Sequence, residues 1–196
     1  MKKYVFAVFL SFSFGLMAQE SKIAISKNQL KVAPFRMIAH NFAIGYERIL
    51  TPSTNLYLLS QIIYSEESYS YEKGYVQDVG LKVHFVKGKE VMGFSNCLYF
   101  MPYVQYGTFD FQNAYKEINK PLNVRSKAKF QSYAGGLLLG WKLILKKRFY
   151  SDIYFGGGVR TNSLRPEEQG KLHGINSFWD RKGVVPKGGV EFGFMF

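Results

Sequence analysis

From Asn28 onward the chain alternates apolar and polar residues with a period of two, in segments broken by turn residues, as antiparallel strands with differently wetted faces do. The final segment, GGVEFGFMF, puts Val190, Phe192, Phe194 and Phe196 on one face and Gly189, Glu191, Gly193 and Met195 on the other. YVQDVGLKVHF sets Val79, Leu81, Val83 and Phe85 against Asp78, Gly80, Lys82 and His84. FQSYAGGLLLGWKLIL sets Tyr133, Leu137, Leu139, Trp141 and Leu143 against Ser132, Ala134, Gly136, Gly140 and Lys142, with Leu138 as one large residue on the polar side. FYSDIYFGGGVRT sets Ile153, Phe155 and Val159 against Asp152, Tyr154, Gly156, Gly158 and Arg160. NFAIGYER sets Phe42, Ile44 and Tyr46 against Asn41, Ala43, Gly45 and Glu47. Three more strands, near 29–36, 55–64 and 98–111, alternate too weakly for their faces to be assigned.

The connections alternate as well. Those at 51–53, 87–96 and 146–148 form a mostly compact set; those at 37–40, 66–72, 112–128 and 162–183 form a second set, two of them long and polar. Short turns on one rim and longer loops on the other are the habit of outer-membrane barrels, and an even strand number leaves both termini on the turn rim. A sheet can cross hydrocarbon only if it has no unpaired edge, because each unsatisfied backbone group there costs several kcal/mol. About eight strands is the smallest ring whose interior side chains fill. The pattern therefore predicts an all-β fold, an eight-stranded antiparallel up-and-down transmembrane β-barrel over residues 28–196.

Ahead of it, Lys2 and Lys3 precede an uncharged apolar stretch at 4–16, shorter than the about 20 residues a spanning helix needs. Residues 1–19 read as a cleavable signal peptide ending near Ala18 or Gln19, and 20–27 as a short segment leading into the barrel. No cysteine stands at that boundary, so no lipid anchor is expected, and no second long apolar run suggests a helical membrane protein. Cys97 is the sole cysteine, which excludes an intramolecular disulfide and a cysteine-based metal centre. Aromatic residues make up 17% of the chain, 18 Phe and 14 Tyr among them, a richness that suits the girdles of membrane barrels. The formal charge of +12 would raise nucleic acid in a cytoplasmic protein; export turns it towards phosphorylated lipid headgroups or an acidic surface polymer, or simply towards solvated loops.

The alternating C-terminal strand with Phe192, Phe194 and the terminal Phe196 resembles the C-terminal signal of outer-membrane barrels, which implies insertion by the barrel-assembly machinery. With Tyr46-Glu47-Arg48 before a tight turn, paired glycine-rich strands and no further C-terminal domain, the chain resembles the small barrels of the OmpX-like and OmpA transmembrane-domain class. The resemblance implies an outer-membrane location and no particular activity.

The polar faces carry the candidate chemistry. Glu47, Asp78, Asp152 and Glu191 share them with Lys82, Lys142, Arg160 and Lys187, so an interior charge network is expected, with Lys142 directly across from Asp152. Lys116, Lys120, Arg125, Lys127, Arg165, Lys171, Arg181 and Lys182 fall in or beside the two long connections and are candidate contacts to lipopolysaccharide phosphates. His173 and Ser177 would make a hydrolytic pair only with an orienting acid that the spacing does not define, although Glu167, Glu168 and Asp180 lie near in sequence. His84 falls near the turn rim and His40 stands alone, so no metal site is expected, and the glycines at 156–158 read as room for bulky neighbours such as Tyr154, or as an easing of strand curvature, rather than as a phosphate loop. The expectation is a non-enzymatic, monomeric barrel without cofactor or nucleic-acid partner, acting structurally or through its outer loops on outer-membrane lipids. Its rivals are a lipid-modifying hydrolase, a narrow solute channel and a soluble periplasmic ligand-binding barrel.

Overall fold

The alternating segments pair in chain order and the last returns to the first. A computed structural model describes residues 27–38, 41–67, 70–88, 94–114, 125–146, 148–164 and 182–196. Its strands are β1 (Asn28–Val32), β2 (Asn41–Thr51), β3 (Thr54–Glu67), β4 (Ser70–Lys87), β5 (Phe94–Ala114), β6 (Arg125–Leu145), β7 (Phe149–Leu164) and β8 (Gly183–Met195). All neighbours are antiparallel and the ring closes between β1 and β8. The predicted all-β, eight-stranded antiparallel up-and-down barrel therefore holds. The leader assigned to residues 1–19 and the segment 20–26 lie outside the described residues.

Both described ends of the chain meet on the turn rim, where Asn28 N–H donates to Phe196 O at 3.3 Å and Phe196 N–H to Asn28 O at 2.9 Å. The β2–β3 turn at Pro52 and Ser53 and the β6–β7 turn at 146–148 share that rim, the latter with Lys146 in the left-handed region at φ 47°. β6 and β7 pair in the expected register, Lys142 opposite Asp152.

Several boundaries differ from the sequence reading. The first strand stops at Val32 rather than near 36, because Pro34 has no N–H for a ladder and its fixed φ suits the first position of a helix; a short helix, α1 (Pro34–Ile38), follows. Much of what reads as loop at 66–72 and 112–128 is strand: β3 pairs with β4 out to Glu67 and Ser70, and β5 with β6 out to Ala114 and Arg125. The ring is consequently lopsided, with 21 residues in each of β5 and β6 but 11 in β2 and 5 in β1.

Around the wall the outward side chains are apolar and exposed, among them Leu30, Ile44, Ile62, Val79, Phe100, Leu137, Phe155 and Phe192, with Leu137 at 63% and Phe155 at 68% exposure. The inward side chains are mixed and buried. Glu47, Lys82, Asp152 and Glu191 are wholly inaccessible. This is the reverse of the arrangement water selects.

The reversal ends on β5 and β6 at one level. Tyr106 and Tyr133 face outward as register partners with ring centroids 5.3 Å apart. Nearer the loop rim, outward Asp110 and Lys129 form an ion pair at 3.4 Å, while inward Phe109, Phe111 and Phe130 stack at 5.0 to 6.4 Å and are buried with Ile63 and Val76. On the same two strands, apolar therefore faces out towards the turn rim and in towards the loop rim.

Candidate functional site

Near the turn rim the interior holds three ammonium groups and three carboxylates. Lys31 Nζ lies 2.7 Å from Glu47 Oε2, 3.1 Å from Glu191 Oε2 and 3.7 Å from Asp152 Oδ2. Lys82 bonds Asp152 and stands 3.1 Å from Glu47 Oε2; Lys142 donates to Glu47 Oε1 at 2.5 Å and to Gln29 Oε1 at 3.0 Å. Neutral donors occupy further carboxylate lone pairs: Asn55 on Glu47 at 2.6 Å, Tyr57 on Glu191 at 2.7 Å and Tyr99 on Asp152 at 2.5 Å. The ammonium groups also lie over ring faces, Lys31 4.5 Å from Tyr57, Lys82 4.4 Å from Tyr99 and Lys142 4.7 Å from Tyr150. Burying such ions is expensive unless partners and hydrogen bonds satisfy them together, and here both do.

Glycine makes the room. A Cβ on Gly140 would stand 2.1 Å from the Tyr99 ring, one on Gly193 2.2 Å from the Tyr150 ring, and one on Gly45 2.5 Å from the Lys31 stem. Each glycine is the register partner of the side chain it admits. Above this layer Ala43, Leu59, Met101, Leu138 and Tyr154 form a mostly apolar band across the lumen.

A second polar group lies on the loop-rim side of the band. Asp78 accepts from Gln105 at 2.6 Å and Lys187 at 2.8 Å, and the Lys187 ammonium lies 3.9 Å over Tyr103. From α1, Arg36 reaches into the lumen to bond Gln61 and, at 2.7 Å, the Tyr154 hydroxyl. Arg160 points to Gln105 at 3.4 Å. These groups surround a cavity of about 420 Å³ lined by Arg36, Gln61, Tyr103, Gln105, Arg160 and Lys187, and reaching Ser65 and Glu72 near the loop rim.

The residues expected to form one interior network thus fall into two groups. Glu47, Lys82, Lys142, Asp152 and Glu191 converge; Asp78 and Arg160 belong to the cavity. The cross-strand pair expected between Lys142 and Asp152 is replaced: Lys142 turns to Gln29 and Glu47, and Asp152 takes Lys82 and Tyr99, since diagonal reach across a narrow lumen satisfies more lone pairs than the facing position does. Room for Tyr154 comes from Gly189 on β8, where a Cβ would be 2.8 Å from its hydroxyl, while among the glycines at 156–158 Gly158 makes room for Tyr103, whose hydroxyl a Cβ would also meet at 2.8 Å. Sequence reasoning missed Gln29, Lys31, Arg36, Tyr57, Tyr99 and Tyr150.

Phe192, Phe194 and Phe196 share the outward face of β8 and its end, and Phe194 packs on Phe149 at 5.4 Å. Arg125 and Lys127 fall on β6 rather than in a loop, and Lys182 is exposed just before β8. Lys116, Lys120, Arg165, Lys171, Arg181, His40, His173 and Ser177 lie outside the described residues. His84 packs edge-on against Tyr99 at 5.6 Å. Among the described residues no cluster of three His, Cys, Asp or Glu is placed to hold a metal.

No protein-family model and no curated protein matches the chain. Among solved structures it is similar to the N-terminal β-barrel domain of Pseudomonas aeruginosa OprF, with 14% identity, 86% of this chain and 96% of that chain covered, and a TM-score of 0.36.

Proposed function

We propose that this chain is an exported outer-membrane β-barrel with a closed, polar, side-chain-filled interior, non-enzymatic and monomeric, acting structurally or through its basic outer loops on lipopolysaccharide. The reversal of polarity at Tyr106 and Tyr133 carries the reading. A strand pair with Leu137, Leu139 and Trp141 outward below those tyrosines, and Asp110 and Lys129 outward above them, suits a wall that leaves oil for water at that level. Between Tyr133 and Trp141 the wall is apolar for about the 9–11 residues a tilted strand needs to cross a bilayer, and tyrosines at its edge match an interfacial girdle. The terminal aromatic strand supports insertion by the barrel-assembly machinery. The packed layer around Glu47 supports a lumen that does not conduct, and the cations at Lys116, Lys120, Arg125, Lys127, Arg165, Lys171, Arg181 and Lys182 would meet lipid phosphates if they project from the loop rim.

Cell fractionation tests the reading. The expected result is recovery in the outer-membrane fraction, released by detergent and not by salt; recovery in a detergent-free periplasmic extract would favour the soluble ligand-binding barrel. Incubation with lipid A should release no fatty acid, and release abolished by Ser177→Ala would favour the hydrolase instead.

A further inference from the structure

The strands do not border the cavity alike. Among the described residues β2, β3, β4, β5 and β7 each give it inward residues only, such as Asn41, Gln61, Ile63 and Gln105. β8 gives it four residues in a row, the inward Val185 and Lys187 together with the outward, exposed Pro186 and Gly188. The cavity therefore reaches the edge of β8 instead of stopping at its inner face. That edge has no strand beside it, because β1 pairs with β8 only as far as Val32 opposite Phe192. Phe196 exchanges both backbone hydrogen bonds with Asn28, so the period of two turns the backbone groups of Val190, Gly188, Pro186 and Val184 to the same side. Pro186 brings no N–H to this edge, the kind of position at which a strand tolerates proline. α1 stands in the seam, against β2 and β8, and among the described residues no backbone hydrogen bond joins it to β8. At the β2 side of the seam the Asn41 Oδ1 is buried without a hydrogen-bond partner among the described residues.

We infer that the seam and the cavity behind it bind one membrane lipid, with a hydroxyl-bearing headgroup in the cavity and a hydrocarbon chain leaving between α1 and β8 onto the outer wall. By register Pro186 and Gly188 follow Leu137–Gly157 and Leu139–Phe155 around the barrel, within the stretch that the membrane reading gives to hydrocarbon. A backbone group left open to hydrocarbon costs several kcal/mol, so a polar occupant of the seam is favoured there. A hydroxyl both donates and accepts, which suits this wall: it can donate to Asn41 Oδ1 and to the edge carbonyls of β8, and accept from the amide of Gln61. The cavity volume of about 420 Å³ lies in the range of about 300–1,000 Å³ usual for small-molecule sites, room enough for a headgroup. The exit is apolar, with Val184 86% exposed on β8 and Phe35 57% exposed on α1. This inference rests on the membrane reading, since only a bilayer brings a lipid to the seam sideways.

The test reconstitutes the full chain in phosphatidylcholine vesicles and adds a lipid with a diazirine near the headgroup end of one chain. One arm uses galactosyl diacylglycerol and the other phosphatidylcholine, neither with net charge, so that hydroxyl groups decide between them. After irradiation, adducts are placed residue by residue by mass spectrometry. Lipid around the barrel labels outward residues such as Leu137 and Phe155 in both arms. Lipid in the seam also labels the inward Val185 and Tyr103, and the galactosyl arm should do so at least about threefold more, the scale of one hydrogen bond. Pro186→Trp, which puts a ring into the seam, should abolish the inward adducts and leave the outward ones. Gly188→Leu narrows the seam from the same edge and serves where Pro186→Trp does not fold, as judged by heat-dependent gel mobility. Asn41→Leu should erase most of the preference for the galactosyl lipid, and Val104→Trp, on the far wall, should change nothing. Adducts confined to outward residues, inward adducts that the folded seam variants leave intact, or equal inward labelling in the two arms overturns the inference while the membrane reading stands. A chain that does not float with the vesicles removes both.

Discussion

Glu47 accepts from Lys31, Lys142 and Asn55 and stands 3.1 Å from Lys82, so more of the interior leans on this carboxylate than on any single cation. Glu47→Gln leaves three buried ammonium groups facing two carboxylates and should cost about 3–5 kcal/mol, read from urea unfolding in lipid vesicles. Replacing Glu47 and Lys142 together by Met removes one charge of each sign and should recover part of that loss; a double variant no more stable than the single would mean the network is not what holds the layer. Gly193 tests steric rather than ionic fit. Gly193→Ala drives a methyl into the Tyr150 ring, for which about 1–3 kcal/mol of overpacking is expected, and Tyr150→Leu in the same chain should relieve it.

At the level of the strand, the five segments with clean alternation carry mainly small or charged residues inward, such as Gly45 and Glu47 on β2 or Asp78, Gly80 and Lys82 on β4, with Leu138 and Tyr154 among the exceptions, so hydropathy still separates their faces. β3 and β5 resisted because their inward residues include Tyr57, Leu59, Ile63, Met101, Phe109 and Phe111, as apolar as the outward Leu58, Ile62, Phe100 and Val104. β1 is too short to show a period, which hid Lys31, and the four acidic and four basic residues already placed inward left no imbalance to point to it. The polar sequences at 66–72 and 112–128 look like loop, yet the backbone of their described residues continues the β3–β4 and β5–β6 ladders. A charge placed on the outward face should discriminate the two levels of β6. In vesicles Leu139→Arg should destabilise by about 2–4 kcal/mol while Gln131→Arg, beyond Tyr133, should cost about 0–1 kcal/mol. Equal costs would remove the change of solvent from the account.

For the molecule as a whole, the packed layer around Glu47 and the band of Leu59, Met101 and Leu138 predict an interior without a continuous aqueous path. Planar-bilayer recordings of the purified chain should show no discrete conductance steps, and regular steps would argue for a pore. Among the described residues the strands are uneven opposite the termini, longest along β5 and β6 and shorter in β8 and β2, beside α1. The far ends of β5 and β6 are therefore held by their own ladder, Ala114 against Arg125, beyond the level at which β2 and β3 stop pairing at Asn41 and Ile63.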